Sequence, residues 1–391
     1  MADRYPKIIL KPGREKALKA RHPWIFSGAI KRPETDLTDG DIVEVTSATG
    51  RFLAIGHFSP RTIAVKVFSF RPIEDERRFW REAVAAAAKL RAELGLIDNR
   101  ETTAFRLIHG EGDGLPGLVV DIYNRTAVLQ CHSAGMFRWR GTIAAALQDV
   151  LAERLESIFV KHAAAGEAEG AGAYLIGGPQ NPVIKEHGLN FVCDWERGQK
   201  TGFYIDQREN RRLFESYARG RRVLNAFCYT GAFSAYAARG GAAEIVSIDA
   251  SKAAVDQAAQ NLDLNGAAPP HREMAADCFD FLKRCEDRFD LIALDPPAFV
   301  KHQKAYARGL RGYESLNFEA LRRLAPGGVL FTFSCSELVS RADFRRAVSA
   351  AAARARRPVR VLHELSQAPC HPINIFHPEG GYLKGLVCRA D

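Results

Sequence analysis

Hydrophobic and polar positions divide the chain into three stretches with different periods. To about residue 73, short β-branched and aromatic runs alternate with polar positions. IIL at 8–10, DIVEVTS at 41–47, RFLAIGHFS at 51–59 and IAVKVFSF at 63–70 predict strands, punctuated by Gly40, Gly50, Pro60 and Pro72. A short helix is predicted over 14–21, followed by HPWIFSGAI. From Glu74 to Leu94, Ala and Arg recur at helical spacing and stop at Gly95, so a helix opens the second stretch. AFRLIHG, GLVVDIY and AVLQCHS then predict strands, with EGDGLPG read as a tight, glycine-dependent hairpin between the first two. A helix over 136–155 and a strand at SIFVKH follow. Residues 162–173 read as a low-complexity loop, and NPVIKEHGLNFVCDW as a hairpin turning at His187–Gly188.

From about residue 196 strands alternate with helices, the signature of βαβ units and a parallel sheet. VLNAF at 223–227 precedes a helix in SAYAARG, and EIVSIDA at 244–250 precedes a helix over 252–264, closed by Asn265–Gly266. A strand over 272–276 leads to Asp277 and a helix near FDFLKRC. FDLIALDPP and VLFTFSCS supply two more strands, and VRVLHEL with YLKGLVCRA an antiparallel closing pair. The fold class is α/β, and three units follow: 1–73, 74–195 and 196–391. At 391 residues the chain is long enough for several cores.

Composition narrows the class. Apolar residues make up 47% and charged residues 26%, which excludes a largely disordered chain. The formal charge of +9 suits either a soluble basic protein or one with a polyanionic partner. Its distribution separates the two: residues 1–72 hold 13 Lys/Arg against 7 Asp/Glu, and nine of the basic residues, Arg32 among them, precede Pro33. That asymmetry points to a nucleic-acid surface. No cysteine pair has CxxC spacing, so no structural zinc site is expected. MADRYPKIIL lacks a signal-peptide core, and no apolar run reaches 18 residues. A cytoplasmic protein with reduced thiols and no membrane partner is expected.

The turn after the first strand of the third stretch, NAFCYTGAF at 225–233, has one glycine, Gly231, where a pyrophosphate cradle needs several. That disfavours a nicotinamide dinucleotide and suits a nucleoside ligand. Asp249 ends the second strand, where a carboxylate can accept both ribose hydroxyls; Asp277 ends the third, where it can accept from an adenine amino group. Either alone is a common turn or cap residue. Together, at successive carboxyl ends, they point to S-adenosylmethionine.

HPWIFSGAI, EGDGLPGLVVDIY, KTGFYIDQREN, LNAFCYTGAFS, SIDAS, LDPPAF, FSCS and CHP occur in order along nearly the whole length. In these segments the chain resembles class I methyltransferases and, more narrowly, the bacterial 23S rRNA 5-methylcytosine methyltransferase family. The resemblance implies an N-terminal RNA-binding PUA domain, a middle β-β-α-β-β domain and a Rossmann-like domain with a seven-stranded sheet whose last pair is antiparallel. It implies that Asn225, Tyr229, Thr230 and Gly231 form the cofactor loop, that Asp249 and Asp277 hold ribose and adenine, and that Asp295 of DPP meets both base and methyl donor. Phe203 and Gln207, in TGFYIDQR, would close over cofactor, with core packing the other reading of Phe203. Cytosine C5 is a poor nucleophile until a thiolate adds to C6, and Cys335 of FSCS stands where that thiol is needed. Cys131, Cys193, Cys228, Cys278, Cys285 and Cys388 read as packing; Cys370, before His371, is left open. Asp295 would act as acid on the cytosine edge. No second cysteine follows Asp-Pro, and Lys301, His302 and Tyr313 remain alternatives for nearby roles. Lys7, Lys11, Arg14, Lys16, Lys19, Arg21 and Lys301 would contact phosphates of 23S rRNA or a large-subunit precursor, with the target base flipped out. A homodimer is a further partner to consider. The competing readings are a guanine-N2 methyltransferase, against which FSCS argues, and a non-catalytic ribosome-assembly factor.

Overall fold

The computed structural model describes residues 4–31, 36–161, 172–198 and 200–391. Arg32 of the basic stretch and most of the low-complexity loop lie outside the described residues. The chain divides into two compact units. Unit 1 comprises 1–184, 193–205 and 369–380; unit 2 comprises 185–192, 206–368 and 381–391.

Unit 1 begins with a five-stranded sheet. Its elements are β1 (Lys7–Ile9), α1 (Lys16–Lys19), β2 (Trp24–Phe26), β3 (Ile42–Thr46), β4 (Phe52–Phe58) and β5 (Ile63–Ser69). The strand order is β1-β3-β4-β5-β2, with β1 parallel to β3 and the other pairs antiparallel. The predicted period-2 faces close on one core of Ile8, Ile25, Val43, Val45, Ala54, Val65 and Val67. Strand β2, inside HPWIFSGAI, was not foreseen: three residues are too few to show alternation, and the ladder to β5 fixes them. A second sheet follows α2 (Glu76–Glu93), which Asp75 caps by accepting from the Arg78 amide. Trp80, Val84, Ala87, Ala88 and Arg91 form its buried stripe. The remaining elements are β6 (Ala104–His109), β7 (Leu118–Tyr123), β8 (Thr126–Cys131), α3 (Ala134–Arg138), α4 (Arg140–Leu151), β9 (Ser157–Lys161) and β10 (Ala173–Ile176), in sheet order β10-β9-β8-β7-β6. Three strands precede the helices, one more than the β-β-α-β-β order. β8 and β9 run parallel because α3 and α4 cross between them.

EGDGLPG is not a tight hairpin. Gly110–Asp113 form a 3-10 turn, and Gly114 and Gly117 follow with φ of 74° and 85°. The reason is a long-range contact: a Cβ on Gly112 would stand 2.0 Å from the carbonyl oxygen of Pro372 in the returning 369–380 segment. Arg91, fully buried, donates both to Asp113 and, at 2.8 Å, to the carbonyl of Cys370 in that segment. The two sheets of unit 1 meet where Gly135 lies against the His57 ring, leaving no room for a side chain. His57 is 2% exposed, neither ring nitrogen has a hydrogen-bond partner among the described residues, and burial pushes its pKa down to about 3.

Unit 2 takes up the β11–β12 hairpin (Val183–Glu186 and Leu189–Val192) from Lys185 onward, with His187 and Gly188 at positive φ in its predicted turn. Then come α5 (Arg208–Ser216), β13 (Arg222–Ala226), α6 (Ala232–Arg239), β14 (Glu244–Asp249), α7 (Lys252–Leu264), β15 (His271–Ala275), α8 (Cys278–Arg284), β16 (Phe289–Leu294), α9 (Tyr306–Arg323), β17 (Leu324–Ser334), α10 (Arg341–Arg354), β18 (Val359–Leu365) and β19 (Lys384–Ala390). The seven-stranded sheet has the order β15-β14-β13-β16-β17-β19-β18 and is parallel except for β19, which runs antiparallel to both β17 and β18. The chain reverses direction across the sheet between β13 and β16, the crevice where such sheets bind ligands. Five of the six residues of β16 are fully buried, as in a strand inside a covered parallel sheet. Helices α5, α9 and α10 were not foreseen.

Candidate active site

The loop leaving β13 is shaped by its backbone. Phe227, Tyr229 and Gly231 have φ of 59°, 46° and 75°, so three of five consecutive residues occupy the left-handed region. Gly231 starts α6, and a Cβ there would approach Ala258 of α7 to 2.5 Å. Asp249 fixes the loop from the next strand: one carboxylate oxygen accepts from the Tyr229 amide at 2.9 Å, the other from the Ser251 amide at 3.0 Å. Thr230 is 1% exposed, and its hydroxyl has no hydrogen-bond partner among the described residues. Its carbonyl accepts from Asn261 of α7 at 2.8 Å. The same helix binds the β12 edge, with Asn261 and Asn265 accepting the Val192 and Asn190 amides and Gln257 donating to the Val192 carbonyl. Sequence reasoning missed this clamp, because asparagines 69 and 75 residues from their partners leave no local pattern.

Asn225 points into the sheet interior instead of the loop. Its amide donates to Ser234 at 2.9 Å, and Ser234, Ser247 and His271 continue a polar chain. Asp277 lies two residues beyond β15 and caps α8, one oxygen accepting from the Asp280 amide at 2.9 Å. The donor set still fits an adenosyl group. It offers a carboxylate at one strand end, a second just past the next, an unsatisfied buried hydroxyl and a loop with a single glycine.

Asp295 and Cys335 leave the adjacent parallel strands β16 and β17, which pair through Leu294 and Thr332. Cys335 Sγ lies 3.9 Å from the Pro296 carbonyl. Gln207, 2% exposed, donates to the Asp295 carboxylate at 2.9 Å and accepts from Asn210 of α5 at 2.6 Å. It therefore orients Asp295 across 88 residues of sequence. Ser336, next to Cys335, bonds the Tyr313 hydroxyl at 2.8 Å and accepts from the Val300 amide at 3.1 Å, tying the DPP loop to the FSCS turn. Tyr313 is thus a fastening; burial raises its pKa. Phe203, 3% exposed, belongs to unit 1, where Tyr123 donates to its carbonyl.

None of the eight cysteines forms a disulfide. Six are buried, and burial pushes the thiols of Cys278 and Cys388 up to about 12. Cys335 and Cys285 are partly exposed, but Cys285 closes α8, next to the turn that enters β16 at its amino end. Lys7, Lys11, Arg14, Lys16, Lys19, Arg21 and Lys301 all have exposed side chains. Among the described residues no helix is long and apolar enough to cross a membrane, and no cluster of metal-ligating side chains occurs.

Residues 8–70 match the PUA-like domain family and residues 151–374 the S-adenosylmethionine-dependent methyltransferase family. Proteins named ribosomal RNA large subunit methyltransferase I from Erwinia tasmaniensis and Aeromonas hydrophila are 39% and 41% identical, each match covering 98% of this chain and 99% of the relative. A Streptococcus mutans protein described as an S-adenosylmethionine-dependent methyltransferase superposes with a TM-score of 0.84 at 22% identity, over 98% of this chain and all of its own. A structure solved with S-adenosylhomocysteine reaches 0.86, also at 22% identity and over the same shares. At that identity the two structures show the shared fold.

Proposed function

Because the chain belongs to the ribosomal RNA large subunit methyltransferase I family, we propose that it methylates C5 of a cytosine in 23S rRNA through a covalent Cys335 adduct. The observation that carries this reading is the partly exposed thiol of Cys335 at the carboxyl end of β17, 3.9 Å from the DPP loop that holds Asp295. Asp249, Asp277, Tyr229, Thr230 and Gly231 would hold the cofactor, with Asn225 supporting their loop from below. When bound, S-adenosylmethionine supplies an electrophilic methyl group for the target carbon.

The chain's own groups do the rest. The Cys335 thiolate adds to C6, forming a C–S bond and placing the electron pair at C5. Asp295, held by Gln207, hydrogen-bonds the cytosine edge as charge develops there. After C5 is alkylated, its proton passes to solvent water, the C–H electron pair restores the C5–C6 double bond, and the C–S bond breaks to release the thiolate. The basic residues of 4–31 and Lys301 would position RNA through phosphates, with 1–73 as RNA-binding unit, 74–195 as middle unit and 196–391 as catalytic unit. A cytoplasmic site of action follows from an rRNA substrate.

Cys335→Ala tests the mechanism. Methyl transfer to rRNA should fall at least about a thousandfold, as loss of a covalent nucleophile does in other enzymes, while S-adenosylhomocysteine binding persists. Retained turnover would exclude the adduct. Mass spectrometry of rRNA from a deletion strain should show one cytosine lacking its C5 methyl.

A further inference from the structure

Lys384 begins β19 and is only 3% exposed. In the antiparallel ladder it stands directly opposite Ser334, the residue before Cys335. Its ammonium donates to the carbonyl of Ser336, the residue after Cys335, at 2.6 Å, and to the Tyr382 carbonyl at 2.7 Å. Cys335 is therefore bracketed by one lysine, through the strand register on one side and a side-chain hydrogen bond on the other. Burying an ammonium against two neutral carbonyls is costly, and a neutral donor would hold the turn at less expense. A retained charge implies a use for charge. The two carbonyls occupy two of its three N–H donors.

Several ionisable groups face Lys384. Arg341 of α10 donates to the Leu365 and Leu383 carbonyls, Glu337 follows the FSCS turn, and Cys335 lies beside them. Arg345 of α10 and Glu364 of β18 line the same small cavity and pair with each other at 2.9 Å. Burial draws the Lys384 ammonium down to about 8, and an ionised Cys335 opposes that shift. The coupling is reciprocal: whatever favour a thiolate does the ammonium, the ammonium returns to the thiolate.

We propose that Lys384 is the positioning residue of the Cys335 nucleophile, fixing the 334–336 turn and holding the thiol in its thiolate form near neutral pH. Ionisation sends the thiol proton to solvent, leaving an ammonium–thiolate pair. Lys384 carries its charge below about pH 8, so the ammonium is available to hold a thiolate there. Above that range the thiolate forms unaided. This inference rests on Cys335 as nucleophile, but its test reads the thiol directly and needs neither RNA nor turnover.

The experiment is the rate of Cys335 carbamidomethylation by iodoacetamide, followed by peptide mass spectrometry on the full chain from pH 5.5 to 10. Wild type, Lys384→Arg and Lys384→Met are compared. Wild-type Cys335 should titrate below the ordinary thiol value of about 8.5. Lys384→Met should move the midpoint up by about one unit, slowing alkylation at pH 7 about tenfold and converging with wild type at pH 10. Lys384→Arg should keep the wild-type profile. A wild-type midpoint at or above about 8.5, or a Lys384→Met profile that overlays wild type, overturns the proposal. Should Lys384→Met fail to fold, the wild-type and Lys384→Arg titrations decide the matter alone. A proposal that survives alkylation while Cys335→Ala still methylates would separate thiol activation from the adduct mechanism.

Discussion

At the scale of single residues, Gly231 is the most constrained position in the loop after β13. Its φ of 75° suits glycine, and the approach of Ala258 excludes any Cβ. Gly231→Ala should cost about 2–4 kcal/mol, combining left-handed strain with overpacking. Isothermal titration should show weaker S-adenosylhomocysteine binding and calorimetry a lower melting temperature; an unchanged affinity would remove Gly231 from the site. Gly231 was singled out because a lone glycine after a strand is a short local pattern, and DPP and FSCS because they carry the family resemblance. Gln207 was singled out through its segment, but its partner was not legible, since the Asp295 contact depends on a fold that closes 88 residues. Lys384 was hidden for the same reason: its meaning comes from the register opposite Ser334. Asn225 sat in the right loop, yet strand alternation turns it inward to Ser234.

Elements tell a similar story. The strands of unit 2 were readable from their apolar runs and helix alternation, and the antiparallel end pair from its position. Helix α9 was not, because Gly309 and Gly312 weaken its helical pattern. Their absent side chains admit the DPP loop: a Cβ at Gly309 would meet Val300 at 2.3 Å. Helix α5 is held by a buried ion pair no sequence pattern announces. Arg211, fully buried, donates twice to Glu186 at 2.7 Å, and Tyr236 of α6 donates to the same carboxylate at 3.1 Å. Arg211→Met leaves Glu186 charged and uncompensated, so unfolding free energy should drop by about 3–5 kcal/mol. Urea titration of Arg211→Met and of the double variant with Glu186→Met checks this; the double variant should recover most of the loss. Equal losses in both would show that packing, not charge, holds α5.

For the whole molecule, the excess of positive charge near the amino end was legible, and the PUA-like match at residues 8–70 gives it a fold. Acid sensitivity was not legible, because it depends on burial. His57 binds a proton near its ordinary value of about 6.5 when unfolded and near 3 when folded. The unfolded state therefore takes up the extra proton as pH falls from 6.5 toward 3, and stability declines across that window by up to roughly 1.4 kcal/mol per pH unit. Nearby Arg138 and Lys66 act in the same direction. Urea midpoints measured from pH 7 to 4 should fall less steeply in His57→Phe; parallel slopes would assign the acid sensitivity elsewhere. The carbonyl of Cys370 that accepts from Arg91 carries a consequence in time. Unit 1 has nearly all its residues by position 205, yet its last segment, 369–380, is made some 160 residues later. At roughly 5–20 residues per second, a ribosome needs on the order of 10–30 s to supply it. During that interval the Arg91 guanidinium and the glycine turn at 110–114 wait without one of their native partners, so unit 1 becomes native only once residues 369–380 have been made.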